Sequence, residues 1–334
     1  MRVLFITSNR IGDAVLSTGL LRHVIATHPQ ARLTIACGPV AAPLFRAVPG
    51  LERVAVLRKQ PLARHWLALW RACVGTRWDW VIDLRNSAVS RLVWTARRNI
   101  FRPAAGMVHK VEELAAVLGL SPPPAPGLWI DGEARAVADR LLPPGPVLLL
   151  MLGPTANWLS KEWPADRFAA VARRLTAAGG PLAGGRVAVL AAPGAESDRA
   201  RPVLDALGPA GVDLTGRTDP LAAAACLVRA SLYIGNDSGL MHIAAAVGTP
   251  TLGLFGPGYP ERYAPWGPRA RVVTGSIPRD ALLGQLKDAG LAPIPLMQGI
   301  AVSDVEKTAV ALLQDVSGTV PASDSVLNHN PHEV

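Results

Sequence analysis

The sequence predicts an α/β fold with two doubly wound domains, each built around a parallel sheet. Short apolar runs typical of buried strands alternate with helical patterns along the chain. The pattern restarts after the proline-rich segment 141–146, and a length of 334 residues favours two domains over one. We predict a first domain at 1–142, a second at 146–316 and a disordered polar tail at 317–334.

Composition excludes several classes of protein. Half of the residues are apolar, yet no apolar run reaches the length of a membrane span, and the apolar start is too short for a signal peptide. The three cysteines, Cys37, Cys73 and Cys226, lie far apart and suit a reducing compartment. The scattered histidines form no pair with metal-ligand spacing, so we expect no metal site.

The charge is concentrated in the first half of the chain. Residues 1–142 carry 19 Lys and Arg against 9 Asp and Glu, whereas the remainder is close to neutral, with 15 against 16. Nucleic acid, an anionic membrane surface and a phosphorylated substrate are all compatible partners. An arginine-rich surface without a partner is the alternative, and the sequence shows no recognised nucleic-acid motif.

The first domain opens with a strand at 2–6, a polar loop at 7–13 and a helix carrying Leu16, Leu20 and Val24 on one face. No GxGxxG fingerprint is present. Asp13 lies where this helix begins, so it points to the crevice that strand-end loops form, or it only caps the helix. Further strands are predicted at 33–36, 54–57 and 80–84, and helices at 61–74 and 111–118. The helix at 61–74 carries tryptophans and arginines; we favour a core helix over a membrane-surface helix.

The second domain repeats the alternation. Strands are predicted at 147–152, 187–190, 231–234 and 251–255, and helices begin near Asp166, after Glu196, at Leu221 and at Ser303. Gly235 and Asn236 are expected to end the third of these strands, and Asp237 or Ser238 to cap the helix that follows. The amides of that helix start, with Gly239 in its first turn, form a phosphate cradle, and His242 lies one turn on. A capped helix with a core histidine is the alternative.

Together the strand-end loops predict a nucleoside-diphosphate site. Lys161 and a helix N-terminus can neutralise a diphosphate, and the Glu196 carboxylate can accept hydrogen bonds from a ribose diol. No Walker lysine pattern is present, which disfavours a P-loop NTPase.

Four motifs, in order along nearly the whole chain, make the sequence similar to the family-nine glycosyltransferases, the ADP-heptose:lipopolysaccharide heptosyltransferases. The last motif is the most specific. They are Ile11–Thr18, Ser160–Pro164 with Arg167 and Phe168, Gly194–Glu196, and Asn236–Pro250 with Phe255–Pro257.

The resemblance implies a GT-B fold, with two Rossmann-like domains facing a central cleft, and an inverting, metal-independent transfer. Asp13 would be the general base, Lys161 would hold the phosphates and Glu196 the ribose. The Ser238 and Gly239 amides would bind the diphosphate, and His242 would lie beside the phosphates. Asp237 would contact the donor sugar or support the loop. We add Thr155 and Asn157 to the donor site, and Arg10 and Arg85 to the acceptor site.

The resemblance further implies no resident cofactor, with ADP-heptose as co-substrate. The acceptor would be a phosphorylated or acidic glycolipid, and no nucleic acid would bind. The enzyme would be cytoplasmic and peripheral at the inner face of the inner membrane.

Two departures from the family pattern leave alternatives open. Gly258 and Tyr259 stand where the family commonly has Thr-Asp, and the loop before Lys161 reads Thr155-Ala-Asn-Trp rather than a run of small residues. A GT-B transferase for another sugar nucleotide, or a non-catalytic protein that binds a sugar nucleotide or an anionic glycan, are the competing hypotheses.

Overall fold

The computed structural model describes residues 1–145, 147–290 and 292–317. The chain divides into two compact units, Met1–Asp131 and a unit that starts at Gly132. The tail predicted at 317–334 lies outside the described residues except for Ser317, which ends the last helix. Within the described ranges, no helix is both long enough and apolar enough to cross a membrane.

The first unit contains one five-stranded parallel sheet, in the order β3-β2-β1-β4-β5. Its strands are β1 (Arg2–Ile6), β2 (Arg32–Cys37), β3 (Leu51–Val56), β4 (Trp78–Asp83) and β5 (Thr95–Ile100). Its α-helices are α1 (Ile11–Thr27), α2 (Arg64–Cys73), α3 (Val89–Leu92) and α4 (Lys110–Ala115). Short 3₁₀ turns extend this set at Ala42–Phe45, Pro61–Ala63 and Ala116–Leu118.

The second unit contains a six-stranded parallel sheet, in the order β11-β10-β9-β6-β7-β8. Its strands are β6 (Leu149–Gly153), β7 (Arg186–Val189), β8 (Gly211–Asp213), β9 (Leu232–Asn236), β10 (Thr251–Phe255) and β11 (Ala270–Thr274). Its α-helices are α5 (Gly132–Leu141), α6 (Ala165–Thr176), α7 (Ala195–Leu207), α8 (Pro220–Val228), α9 (Gly239–Ala246), α10 (Pro260–Tyr263), α11 (Arg279–Asp288) and α12 (Val302–Ser317). Two 3₁₀ turns lie at Leu159–Lys161 and Gly208–Ala210.

Central strands of both sheets are buried on both faces, as the continuous apolar runs predict. Val3 to Ile6 of β1 and Leu150 to Leu152 of β6 are fully buried. In each sheet the strand order reverses beside the first strand, between β1 and β4 and between β6 and β9. Ligands of doubly wound folds bind at this switch point, at the carboxyl ends of the strands. The predicted α/β class with two parallel sheets is confirmed.

The division into units differs from the boundary predicted at 142–146 by one helix. Helix α5 packs against α8, so it belongs to the second unit although it precedes that unit's first strand. Its buried side chains are two alanines, Ala134 and Ala138, which give the sequence little apolar periodicity. The sequence also gave no prediction for β5, β8 and β11, which lie at or near sheet edges and are largely polar or exposed.

Candidate functional site

The switch point of the second sheet brings the predicted site residues of this unit together. The loop after β6 carries Thr155 and Lys161, the start of α7 carries Glu196, and α9 follows β9 directly. Because all six strands are parallel, their carboxyl ends meet at one edge, and these loops converge there.

At the centre of the site, Lys161 forms an ion pair with Asp237. The distance from Lys161 Nζ to Asp237 Oδ2 is 2.5 Å, and the Asp237 side chain is only 10% exposed. A Cβ atom at Gly258 would lie 2.6 Å from the same carboxylate oxygen. The glycine therefore leaves the space that the Asp237 carboxylate occupies.

Helix α9 begins at Gly239, so its first amides point out of the helix with no intrahelical acceptor. Ser238 occupies the N-cap position, but its side chain makes no capping hydrogen bond, and Asp237 uses its carboxylate on Lys161. Ser238 therefore stands at the N-cap position that the sequence predicts, but neither side chain makes a capping hydrogen bond. The Ser238 hydroxyl oxygen is buried and makes no hydrogen bond of normal geometry among the described residues, although Ser238 partly offsets the effect of burial, which raises the pKa of the Tyr233 phenol. Two kinds of donor, the amides and this hydroxyl, are thus available at one helix start, and His242 lies buried in the same helix.

The Asn236 side chain forms hydrogen bonds with both ends of the loop after β6. Its side-chain oxygen accepts from the Trp163 amide at 3.1 Å, and its side-chain nitrogen donates to the Pro154 carbonyl at 2.7 Å. The sequence predicts only that Asn236 ends the strand, and β9 does end at this residue. The amide side chain was the overlooked feature, because Asn can donate and accept at once.

Glu196 lies in the first turn of α7, where it accepts a hydrogen bond of 2.9 Å from the Thr155 hydroxyl. Both residues were predicted for the donor site, and the structure brings them into contact. Thr155 is buried, Glu196 half-buried and Asn157 exposed in the same loop. The second Glu196 oxygen leaves capacity for a further donor, since a carboxylate accepts several hydrogen bonds.

A second contact between this loop and α7 was missed by the sequence analysis. Glu162 Oε1 accepts from the Ala156 amide at 2.9 Å and from Arg199 Nε at 3.0 Å, and Arg199 Nη2 donates to the Ala156 carbonyl at 2.9 Å. Burial raises the pKa of the Glu162 carboxyl, against the lowering effect of the Ala156 amide and Arg199. We call this arrangement the loop clasp. It holds the backbone that carries Lys161.

Tyr233 fills the space beneath the strand ends. A Cβ atom at Gly153 would lie 2.0 Å from its hydroxyl oxygen, and one at Gly235 would lie 2.2 Å away. These glycines face each other in the β6–β9 pair, so the phenol lies against both. Tyr233 is fully buried, and burial raises the pKa of its phenol.

The predicted acceptor-side residues lie in the first unit, at the switch point between β1 and β4. Helix α1 begins at Ile11, which places Asp13 in its first turn rather than at the N-cap, where Arg10 stands. Asp13 Oδ2 lies 3.5 Å from the Ser8 hydroxyl, and the side chain is half-buried. Arg10 is exposed in the loop after β1.

Arg85 leaves the adjacent strand, β4, and is exposed, with its guanidinium carbon 6.0 Å from the Trp66 ring centre. Its backbone is fixed by Asp83, a fully buried carboxylate that the sequence analysis assigned no role. Asp83 accepts from the Arg85 amide at 2.8 Å and from the Ser87 amide and hydroxyl at 2.7 Å. The loop after β4 therefore has a defined shape.

No group of three or more His, Cys, Asp or Glu side chains in the described ranges is arranged to hold a metal ion. Positive groups at the switch point of the second unit include Lys161 and the N-terminus of α9.

Comparison with known proteins relates this geometry to one family. Residues 90–287 match the sequence profile of glycosyltransferase family 9 (heptosyltransferase). Lipopolysaccharide heptosyltransferase 2 of Salmonella typhimurium is 25% identical over 82% of this chain and 88% of its own. Lipopolysaccharide heptosyltransferase 1 of Pseudomonas aeruginosa is 27% identical over 83% of this chain and 84% of its own.

A solved structure supports the same fold. ADP-heptose lps heptosyltransferase II of Escherichia coli superimposes with a TM-score of 0.72 at 19% identity, covering 95% of this chain and all of that one. This likeness confirms the predicted GT-B type of fold, and the profile match, which spans more than half of the sequence, confirms the predicted transferase class. The chain belongs to glycosyltransferase family 9.

Proposed function

We propose that this glycosyltransferase moves a heptose from ADP-heptose to a lipopolysaccharide core acceptor, with inversion at the anomeric carbon and without a metal ion. The names of its relatives, lipopolysaccharide heptosyltransferases, support the sugar and the acceptor. The observation that carries the proposal is the Lys161–Asp237 pair at the N-terminus of α9, on the switch point of a parallel sheet.

On the donor side, the leaving group is a nucleoside diphosphate that develops negative charge as the glycosidic bond breaks. Lys161 and the first amides of α9 supply compensating positive charge, and the Ser238 hydroxyl can donate to a phosphate oxygen. Glu196, which accepts a hydrogen bond from Thr155, would accept from the ribose hydroxyls. Asp237 pairs with Lys161, and in this proposal a phosphate oxygen of the donor takes the place of the Asp237 carboxylate.

On the acceptor side, Asp13 acts as the general base. An acceptor hydroxyl oxygen attacks the anomeric carbon and loses its proton to the Asp13 carboxylate. The bond from that carbon to the phosphate oxygen breaks, and its electron pair leaves with ADP. An inverting displacement needs this division of labour, with a base at the acceptor and charge stabilisation at the leaving group.

The acceptor is acidic in this proposal, and the enzyme acts at the inner face of the inner membrane. The support is the charge distribution, because residues 1–142 carry an excess of ten positive charges while the remainder carries an excess of one negative charge. A basic surface favours encounter with phosphorylated or acidic glycolipids. Exposed Arg10 and Arg85 flank the same sheet edge as Asp13 and are the proposed acceptor contacts.

Calorimetric titration with ADP, UDP and GDP, without added metal, tests the donor assignment. We expect ADP to bind at least about tenfold more tightly than the other two nucleotides, a difference of about 1.4 kcal/mol. A preference for UDP or GDP would assign the chain to another sugar nucleotide, a candidate that Gly258 and Tyr259 favour because they replace a Thr-Asp pair common in the family. Binding of none of the three would contradict the proposal.

A further inference from the structure

The large apolar side chains that are most exposed lie close together in the sequence of the first unit. Among the described residues, Leu62 is 96% exposed, Trp94 76% and Leu92 61%, and all three fall within residues 53–111. Soluble proteins expose single apolar residues commonly, but clustered ones mark interaction surfaces.

Helix α2 shows two distinct faces. Leu69 and Cys73 are buried in the core of the first unit, where they pack with Val89 and Val93. The opposite face is a continuous exposed stripe with helical spacing, which consists of Arg64, Leu67, Ala68, Arg71 and Ala72. This outward face is apolar and basic and contains no acidic residue, unlike the mixed-charge face of an ordinary solvated helix.

Hydrogen bonds place Leu92 and Trp94 beside this helix. The Trp70 indole N–H donates to the Leu92 carbonyl at 3.3 Å. Trp94 is joined through Trp78, whose amide donates to the Trp94 carbonyl at 2.9 Å and whose indole donates to the Cys73 carbonyl at 3.1 Å. We define the α2 surface as Leu62, Arg64, Leu67, Arg71, Leu92 and Trp94.

The surrounding charge is almost entirely positive. Residues 53–111 contain twelve Lys and Arg and only two acidic residues, Asp79 and Asp83. Asp83 is fully buried and committed to the loop after β4, and Asp79 accepts a hydrogen bond from the Arg2 amide at 2.7 Å. The α2 surface therefore combines apolar side chains with a positive field that the nearby carboxylates do not offset.

We propose that the α2 surface docks the protein on an anionic phospholipid bilayer. Leucine and tryptophan side chains enter the interface while arginines remain at the level of the lipid phosphates. A second copy of the chain would bring like charges together, and duplex DNA offers no apolar surface for Leu62, Leu92 and Trp94. The inference deepens the proposed function, because it supplies the route to a lipid-anchored acceptor, but its test needs neither donor nor acceptor.

Vesicle co-flotation of the full chain tests the proposal. The lipids are phosphatidylethanolamine with phosphatidylglycerol, and phosphatidylcholine alone serves as the uncharged comparison. We expect binding to the anionic vesicles only. The double variant Leu92→Ser/Trp94→Ser, which changes exposed side chains, should lower the partition coefficient roughly tenfold or more. Arg64→Glu/Arg71→Glu should lower it by a similar or larger factor, since each arginine near an anionic surface contributes roughly fivefold.

The matched control is Arg140→Glu/Arg186→Glu, which makes the same net charge change on exposed positions of the second unit. We expect this control to retain binding within about threefold, because neither arginine belongs to the α2 surface. An equal loss in the control would overturn the assignment of the surface and leave only the overall positive charge as the cause.

Two further results would also overturn the proposal. Wild-type protein that fails to float with anionic vesicles, while it still binds ADP in solution, would reject bilayer docking and leave the proposed donor site standing. Unchanged flotation of both α2-surface variants, together with a loss of self-association or of duplex DNA retention, would assign the surface to a second copy or to nucleic acid.

Discussion

At the scale of single residues, we propose that the Lys161–Asp237 pair governs the binding of a diphosphate. Both side chains are largely buried, so each charge depends on the other for compensation. A diphosphate that enters the site competes with Asp237 for the same ammonium group. The pair orients the lysine side chain, but it also leaves the Asp237 carboxylate in the site as a competitor for the ammonium group.

This competition predicts non-additive effects of substitution on ADP affinity. Lys161→Ala should weaken ADP binding about tenfold to a hundredfold, because it removes a charge-assisted contact and leaves a buried carboxylate facing the phosphates. Asp237→Asn should keep or increase the affinity. The double variant should bind ADP better than Lys161→Ala alone, as calorimetry can measure, with Lys307→Ala on exposed α12 as the control. Additive effects of the two substitutions would show that the pair does not act on the ligand.

The sequence predicts where the candidate site residues lie along the chain, but not which residues they contact. The sequence placed Lys161, Glu196 and Asp237 on strand-end loops because parallel strands bring those loops to one edge. It could not show that Asp237 pairs with Lys161, since 76 residues separate the two. Nor could it assign Glu162, whose partners Ala156 and Arg199 become neighbours only when the loop folds against α7.

At the scale of elements, hydrogen bonds hold the loop after β6 against one strand and one helix. Asn236 connects the loop to β9, and the loop clasp connects it to α7. The Glu162 carboxyl accepts hydrogen bonds from both the Ala156 amide and Arg199. A neutral acceptor of the same shape should therefore preserve the loop clasp. Burial raises the pKa of Glu162 above its ordinary value. Folding therefore disfavours the ionised form of Glu162. The contribution of this carboxyl to the free energy of unfolding is fully present below its unfolded pKa, and it is lost as the pH rises through its folded pKa.

We therefore expect Glu162→Gln to bind ADP within about threefold of wild type at neutral pH, and Glu162→Ala to lose about tenfold, since only alanine leaves the amide and Arg199 without an acceptor. The glutamine variant should also show a weaker fall in unfolding free energy as pH rises from acid to neutral. Denaturant titration at several pH values and calorimetry measure both effects. Equal ADP affinity for the two variants would remove the loop clasp from the account of the site.

The packing of Tyr233 against the β6–β9 pair leads to a prediction about the stability of the protein rather than about ligand binding. Gly153→Ala should destabilise the second unit by about 1–3 kcal/mol or more, because its Cβ would overlap the Tyr233 hydroxyl. Tyr233→Phe alone should cost at most about 1 kcal/mol, since the lost hydroxyl makes no hydrogen bond of normal geometry among the described residues. In the double variant only part of the loss should be recovered, because the ring carbons Cζ and Cε2 would still lie 2.8 and 3.0 Å from the new Cβ atom; denaturant unfolding can measure the difference. A Gly153→Ala cost that Tyr233→Phe leaves unchanged would contradict the steric explanation.

Elements with strong apolar patterns were predicted, and those without them were not. Strands β1, β6 and β10 are buried continuous runs, which the sequence identifies directly. Strand β5 is rich in exposed arginines and lies at a sheet edge, where one face needs no apolar cover. Its parallel pairing with β4 comes from tertiary context, which the local sequence does not contain.

At the scale of the whole molecule, each unit buries a thiol that the fold keeps protonated. Burial raises the pKa of Cys37 in the first unit and of Cys226 in the second to about 12. Because the folded pKa exceeds the unfolded one, each thiol contributes stability below the unfolded pKa, and this contribution is lost as pH rises through the folded pKa. The loss should be roughly 1.4 kcal/mol per thiol at one unit above the unfolded pKa.

We expect the Cys37→Ala/Cys226→Ala variant to lose unfolding free energy less steeply than wild type between about pH 9 and the folded thiol pKa. Denaturant titrations of both proteins across this range provide the measurement. The cavities that alanine leaves lower the stability at every pH alike, so the slope is the informative quantity. Parallel slopes for the two proteins would show that the thiols do not govern alkaline unfolding.

Transfer itself tests the central claim, that Asp13 is the base of an inverting heptosyl transfer from ADP-heptose. The measurement is the rate of ADP release with a lipopolysaccharide core acceptor, together with the anomeric configuration of the product by nuclear magnetic resonance. We predict inversion, and for Asp13→Asn a rate about 10²- to 10⁴-fold lower with unchanged ADP affinity. Near-normal turnover of Asp13→Asn, or a product that retains the donor configuration, would contradict the account.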